Sequence, residues 1–208
     1  MSNKYTYVLR TCNNELRSHD NFQWPKSGRV KCNDWKPTPE CGKGLHGLLM
    51  GVGDGDLLNW DVSAKWLVVK VLASDVIDID GDKVKFPKGN VVYCGDRKGA
   101  TDYIIAKGAD ASKVVGAVIT VGDNASAVGG DFATVSGGHG ANVSGGNYAT
   151  VSGGNGANVS GGDDSILQVK WYNGNGNCYR IAVAYVGEDG IEANVKYKVN
   201  DEGKFVKA

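Results

Sequence analysis

The most regular alternation of apolar and polar positions lies between residues 125 and 164. Five eight-residue units follow one another there: ASAVGGDF, ATVSGGHG, ANVSGGNY, ATVSGGNG and ANVSGGDD. Ala opens every unit. Position three is Ala127, then Val135, Val143, Val151 and Val159, and positions five and six are always Gly. A short fixed period predicts a coiled β-architecture. Ala and Val two residues apart share one face of an extended segment, and the Thr, Asn or Ser between them faces away. The Gly pair is expected to supply the turn, through positive φ and the absence of a Cβ. A single unit buries too little to stand alone, since a fully buried Val contributes at most ~1.5–3 kcal/mol. The units must therefore stack, and two per coil gives a sixteen-residue turn. The competing reading is a flexible Gly/Ser linker, but a linker has no use for phased Ala and Val.

The flanks carry other patterns. Residues 5–11 (YTYVLRT) read as a first strand, and residues 64–73 (AKWLVVKVLA) as the clearest one. Residues 76–80 and 83–86 form a hairpin around Asp80-Gly81-Asp82, and 91–94 another strand. The stretches around Trp24-Pro25 and Trp35-Lys36-Pro37 are turn-rich. Residues 41–50 lead into a short apolar strand or helix, and residues 54–60 open a helical turn. Residues 95–108 predict a loop and a helix of two to three turns. Ala117 and Ile119 already lie in phase with the octads, so the roll begins before Ala125, with that helix as its plug. Ser165 and Leu167 continue the phase at the other end. Residues 166–172, 179–186 and 193–199 then alternate as strands of a capping sheet. The expected class is mainly β with an α+β N-terminal domain, a short parallel β-roll and a C-terminal antiparallel cap. The domains are drawn at 1–94, 95–124, 125–164 and 165–208.

Charge narrows the function. Lys plus Arg and Asp plus Glu are 23 each, so the net charge is zero. That balance favours neither long nucleic acid nor a membrane surface as partner. The polar opening and the lack of an apolar span suggest a cytosolic protein. Five cysteines without a CxxC pair suggest free buried thiols. Between residues 124 and 162 only Asp131, His139 and Tyr148 can ionise. So uncharged a surface risks edge-to-edge aggregation, and a homo-oligomer, a trimer in preference, would cover it.

Candidate chemistry is sparse. Gly95-Asp96-Arg97-Lys98-Gly99 precedes the helix, where converging N–H groups and two cations suit a phosphate. Arg97 could grip it bidentately, and Asp96 as an N-cap is the alternative role for the loop. Across an oligomer, copies of these cations could meet Trp24, Trp35 or Trp60, which would stack a base. Cys32, Cys41 and His46 match no structural zinc spacing, and Asp78, Asp80 and Asp82 lack a calcium loop. Only His19, His46 and His139 exist, none beside a nucleophile motif. No catalytic residue, metal or cofactor is assigned.

The segment Cys41 to His46, the Gly-Asp-Arg loop, the Ser-Gly-Gly units, the run AYVGEDGI from Ala184 and the closing Lys204-Phe205-Val206 together resemble uncharacterised phage and prophage proteins. The octads also resemble the β-rolls of trimeric bacterial adhesin heads. Arg10 on the first strand and Gly44-Leu45-His46-Gly47 resemble the opening of ADP-ribosyltransferase folds, which would make Arg10 and His46 dinucleotide contacts. That likeness lacks a convincing late glutamate, since Glu188 falls in a turn and Glu40 beside Cys41. Together these resemblances imply a non-catalytic phage accessory protein in the cytoplasm of an infected bacterial host. It would assemble through its roll and bind a small nucleotide-like ligand, sequestering a host nucleotide immune signal. The ligand residues would be Arg97, Lys98, Gly95, Gly99, Arg10, His46, Trp35 and Trp60. An NAD-using transferase and a virion structural protein are the alternatives.

Overall fold

A computed structural model describes residues 4–208. The chain forms two compact units, one ending at Asp110 and the other running from Ala111 to Ala208.

The first unit is built on one antiparallel sheet. Its strands are β1 (Tyr5–Cys12), β2 (Gly28–Lys31), β3 (Leu45–Leu49), β4 (Lys65–Leu72), β5 (Ile77–Ile79), β6 (Lys83–Phe86) and β7 (Lys88–Gly95), in the order β2-β7-β4-β1-β3-β6-β5. Central β4 is buried on both faces from Trp66 to Val69, which is why it reads as an unbroken apolar run. β1 pairs with it over its whole length, from Tyr5↔Leu72 to Cys12↔Lys65. The helix α1 (Arg97–Ala106) buries Ala100, Thr101 and Ile104. It packs against β4, β7 and β1 and so belongs to this unit. One strand departs from the expected pattern: β2 forms inside a stretch that reads as turns, while the helical turn at residues 55–57 is a single 3-10 turn capped by Asp54.

The second unit is a β-solenoid of about three turns, finished by antiparallel strands. One sheet carries β8 (Val118–Val121), β10 (Thr134–Gly137), β12 (Thr150–Gly153), β14 (Ile166–Asn173) and β15 (Cys178–Tyr185). The other carries β9 (Ser126–Val128), β11 (Asn142–Ser144), β13 (Asn158–Ser160), β16 (Tyr197–Val199) and β17 (Phe205–Lys207). Parallel pairing is in register at sixteen residues, so Ile119, Val135, Val151 and Leu167 stack in one column. Ala127, Val143 and Val159 form the facing column, and together the two columns fill the coil. At the last coil β14 pairs antiparallel with β15, and Val159 with Tyr197 of β16. β17, unforeseen from the sequence, adds the outermost strand.

The corners work differently from the expectation. Positive φ falls on position eight of each octad: Phe132 (57°), Gly140 (64°), Tyr148 (56°), Gly156 (70°) and Asp164 (55°). The Gly pair has another role, close packing. A Cβ on Gly153 would lie 2.5 Å from the Ala157 Cβ, and one on Gly137 2.6 Å from that of Ala141. The sixth-position Gly rests on the main chain of the coil before it. Between coils the corner is bonded by side chains: Asp131 Oδ1 accepts from the Asn147 N–H (2.8 Å), and Asn147 Oδ1 from that of Asp163 (3.0 Å). A left-handed bulky residue costs ~1–2 kcal/mol. Phe132 and Tyr148 offset part of it by stacking at 4.9 Å and 23°.

Ser165 replaces the Ala that opens each octad and is fully buried. Its Oγ accepts from the Ala149 N–H (3.1 Å) and donates to the Gly146 carbonyl (2.9 Å). At neighbouring corners that pair bonds directly, as Ala141 N–H does to Gly138 O (3.3 Å) and Ala157 N–H to Gly154 O (3.1 Å). Ser165→Ala should therefore restore the direct bond and change stability by less than about 1 kcal/mol. Urea denaturation followed by circular dichroism checks this, and a loss beyond roughly 2 kcal/mol would mean the hydroxyl bridge cannot be replaced.

Candidate functional site

The first unit encloses a cavity of about 600 Å³ where β1 and β3 part. The two strands share only two pairs, Val8↔Leu49 and Leu9↔Leu48. Beyond them Arg10 spans the gap, its Nη1 donating to the His46 carbonyl at 2.6 Å. Gly47 has to be Gly, because a Cβ there would strike the Leu9 carbonyl and the Val8 side chain. The walls include Phe22, Trp24, Leu45, Leu48 and Leu58, with Asp34, Lys43 and Lys83 among the polar lining. The Arg10 guanidinium lies over the Trp24 ring at 4.9 Å. Buried Lys85 ties down the covering loop through bonds to the carbonyls of Glu40 (2.7 Å) and Gly42 (3.4 Å).

The electrostatics follow from enclosure. Burial pushes the Arg10 pKa down to about 10, so the group is still charged at neutral pH. Its Nε and the Nε2 of His46 are buried without a hydrogen-bond partner. Burial first, then the charges of Arg10, Lys83 and Lys85, push the His46 pKa down to about 4. An unfolded chain takes up this proton near its ordinary value of 6.5, where the folded chain refuses it. Stability should therefore fall as pH drops from 6.5 towards 4 and level off below. Solvent screening at this partly open position limits the effect to about 1–2 kcal/mol. Denaturation midpoints across that range should show a flatter dependence for His46→Gln. An equally steep dependence would remove His46 as the cause.

The remaining proposed ligand residues lie elsewhere in the unit. Gly95 and Gly99 surround the Tyr93 hydroxyl, where a Cβ on either would collide with it. Asp96 caps α1, accepting from the Gly99 N–H at 2.7 Å. Lys98 pairs with Asp102 on the exposed side of the helix. Arg97 lies 5.9 Å from the Trp60 ring, and Trp60 packs edge-on to Trp66 at 5.3 Å. Trp35 touches the cover of the cavity at Gly44 and lies 5.8 Å from the Lys85 ammonium. Thus Arg10 and His46 meet at the cavity, Arg97 and Trp60 meet at the helix start, and the structure does not bring these groups into one site. The cavity itself is the feature the sequence hid, because its walls come from segments 10–11, 18–24, 32–34, 41–48 and 57–58 and from Lys83. Cys32, Cys41 and His46 all line it, yet no described group of His, Cys, Asp and Glu is placed to hold a metal ion. No glutamate lines it among the described residues.

The solenoid offers a second surface. Thr134 and Ser136, then Thr150 and Ser152, project from β10 and β12 opposite the buried Val column and are partly exposed. Thr120 on β8 and Gln168 on β14 extend the Ser row, Val118 and Ile166 flank the Thr row, and Ser152 donates to Gln168 Oε1 at 3.3 Å. On the opposite sheet the Asn158 amide donates to Asn142 Oδ1 at 2.9 Å.

Comparison with known proteins finds two likenesses. One relative, an ice nucleation protein of Pseudomonas syringae pv. syringae, is 38% identical over 114 residues, 54% of this chain and 10% of the relative. Ice nucleation proteins of Pseudomonas fluorescens (39% over 105 residues, 50% and 9%) and Xanthomonas campestris pv. translucens (38% over 100 residues, 48% and 6%) match similarly. The chain therefore spans about a tenth or less of these relatives. No solved structure matches it. The expected location, the cytoplasm of an infected host, is corrected by these matches, since likeness to bacterial ice nucleation proteins points away from a cytoplasmic protein. Among the described residues no helix is long and apolar enough to cross a membrane. The chain is a β-repeat protein, and its residues 6–106 match the family model described as Domain of unknown function (DUF7666).

Proposed function

We propose that this is a non-catalytic protein whose solenoid presents an ice-binding face. The observation that carries the reading is the in-register Thr/Ser face of β10 and β12. Parallel pairing sets equivalent side chains about 4.8 Å apart between coils and roughly 6.6 Å apart along a strand. Thr is stiff at χ1, so its hydroxyl and methyl hold a fixed spacing. No ionisable side chain stands on β8, β10 or β12 to disturb bound water. Such a grid orders bridging waters at little entropic cost, and the named relatives support ice as the ordered phase. Three coils give a patch roughly 15 Å tall, a size that suits joining a growing crystal more than starting one. The same sheet continues to edge strand β15, where Tyr179, Ile181, Val183 and Tyr185 are exposed. Self-association along that strip is part of the proposal, because it would lengthen the face.

The narrower idea of a phage accessory protein that sequesters a nucleotide signal gains no support from the relatives. The test of the ice-binding reading is microscopy of single ice crystals grown with the full chain, together with a recrystallisation assay. Wild type should facet the crystals and slow their coarsening. Thr150→Lys should abolish both effects with circular dichroism unchanged, while Asn142→Lys on the opposite sheet should leave them intact. Rounded crystals indistinguishable from buffer would end the reading.

A further inference from the structure

We propose that the cavity of the N-terminal unit is a binding site for a small organic anion, whose carboxylate or phosphoryl oxygens take the open edge of the Arg10 guanidinium. Arg10, which lines the cavity, is an enclosed cation with no counterion among the described residues. Its Nη1 is used by the His46 carbonyl, and its Nε is buried without a hydrogen-bond partner. An enclosed charge is costly unless it is paired and hydrogen-bonded. A buried polar atom without a partner marks a place where one is missing.

Other features of the same walls agree on the sign and the size of the guest. Lys43 and Lys83 add positive charge, against Asp20 and Asp34. Asp20 is highly exposed and already pairs with His19 at 3.1 Å. The neutral His46 ring presents an orphaned Nε2 without adding a competing charge. Phe22, Leu45 and Leu58 offer apolar contact for the body of the ligand. Trp24 lies under the guanidinium at 4.9 Å and holds its plane. A cavity of about 600 Å³ falls within the usual range for small-molecule sites. Nothing in this site depends on the ice-binding face, so the two readings fail separately.

Isothermal titration and thermal shift of the full chain test it with adenosine 5′-monophosphate, benzoate, inorganic phosphate and uncharged adenosine. At least one of the two organic anions should bind saturably, and binding should weaken as salt rises. Adenosine should bind more weakly than its monophosphate. Arg10→Gln should weaken the bound anion by about tenfold or more, and Lys83→Gln by about threefold. Lys83→Gln gives a reading even where Arg10→Gln does not fold, because Lys83 is only partly buried. No saturable binding of either organic anion, equal binding of adenosine and its monophosphate, or unchanged affinity in Lys83→Gln would overturn the proposal. Inorganic phosphate alone binding would overturn it too, as it would show a bare ion site.

Discussion

Gly154→Ala is expected to destroy the order of the solenoid. The added Cβ would lie 2.5 Å from the carbonyl carbon of Gly138, 2.6 Å from its oxygen and 2.7 Å from the His139 nitrogen. All three are main-chain atoms, so no side chain can turn aside. Relief requires lifting one coil off the next, which opens the bonds from the Gly154 N–H to Gly137 O (3.0 Å) and Gly138 O (3.2 Å). Overpacking commonly costs ~1–3 kcal/mol, and a backbone-only clash lies at or above the top of that range. Hydrogen–deuterium exchange should show β10 and β12 losing protection together. Gly174→Ala, in a turn with nothing within 4 Å, is the control and should change little. Retained protection in Gly154→Ala would mean the coils are not in the tight contact described.

Trp24→Ala should cost the first unit about 3–5 kcal/mol, the usual range for emptying a buried aromatic site. Trp24 is only 1% exposed although it lies in a loop, and it joins the core cluster formed by Val8, Leu67 and Phe86. Its Nε1 donates to Ser18 Oγ at 2.9 Å, and Phe22 meets it edge-on at 5.4 Å. Removing the ring leaves a hole and also takes the support from behind Arg10. Trp24→Phe keeps most of the packing and forfeits the Ser18 bond, for a loss of about 1–2 kcal/mol. Urea midpoints with unchanged m-values would read both. A loss below roughly 1 kcal/mol for the alanine variant would place Trp24 outside the core.

The solenoid was largely legible because its information is local and repeated. Ala and Val in phase predict the inward columns, Ser165 and Leu167 show where the phase continues, and sixteen residues per coil follows from the alternating pairs. The corners depart from the pattern for a physical reason. Gly at two fixed positions suggests backbone freedom, whereas here it answers close contact, and the left-handed residue is often a side-chain-bearing one such as Phe132 or Tyr148. In the first unit, strands with continuous apolar runs such as β4 were visible. β2 was not, because Arg29 and Lys31 flank a single buried Val30 and the strand is held only by β7. The cavity was the least visible feature. Arg10 and His46 lie 36 positions apart, and nothing in their spacing reveals that two strands diverge between them. The phosphate loop shows the converse, since Gly, Asp, Arg and Lys in sequence describe a capped helix start built around Tyr93.

The sixteen-residue register has a bearing on how such a chain can change length. Copying two adjoining octads would add a full turn and leave both columns, both corners and the terminal strands in place. Copying one octad would exchange the two sheets for everything downstream, setting Asn142 beneath Thr150 and Tyr148 beneath Gly156. The chain can therefore grow or shrink by slippage only in even steps, and a lineage with this architecture should record insertions in multiples of one whole turn.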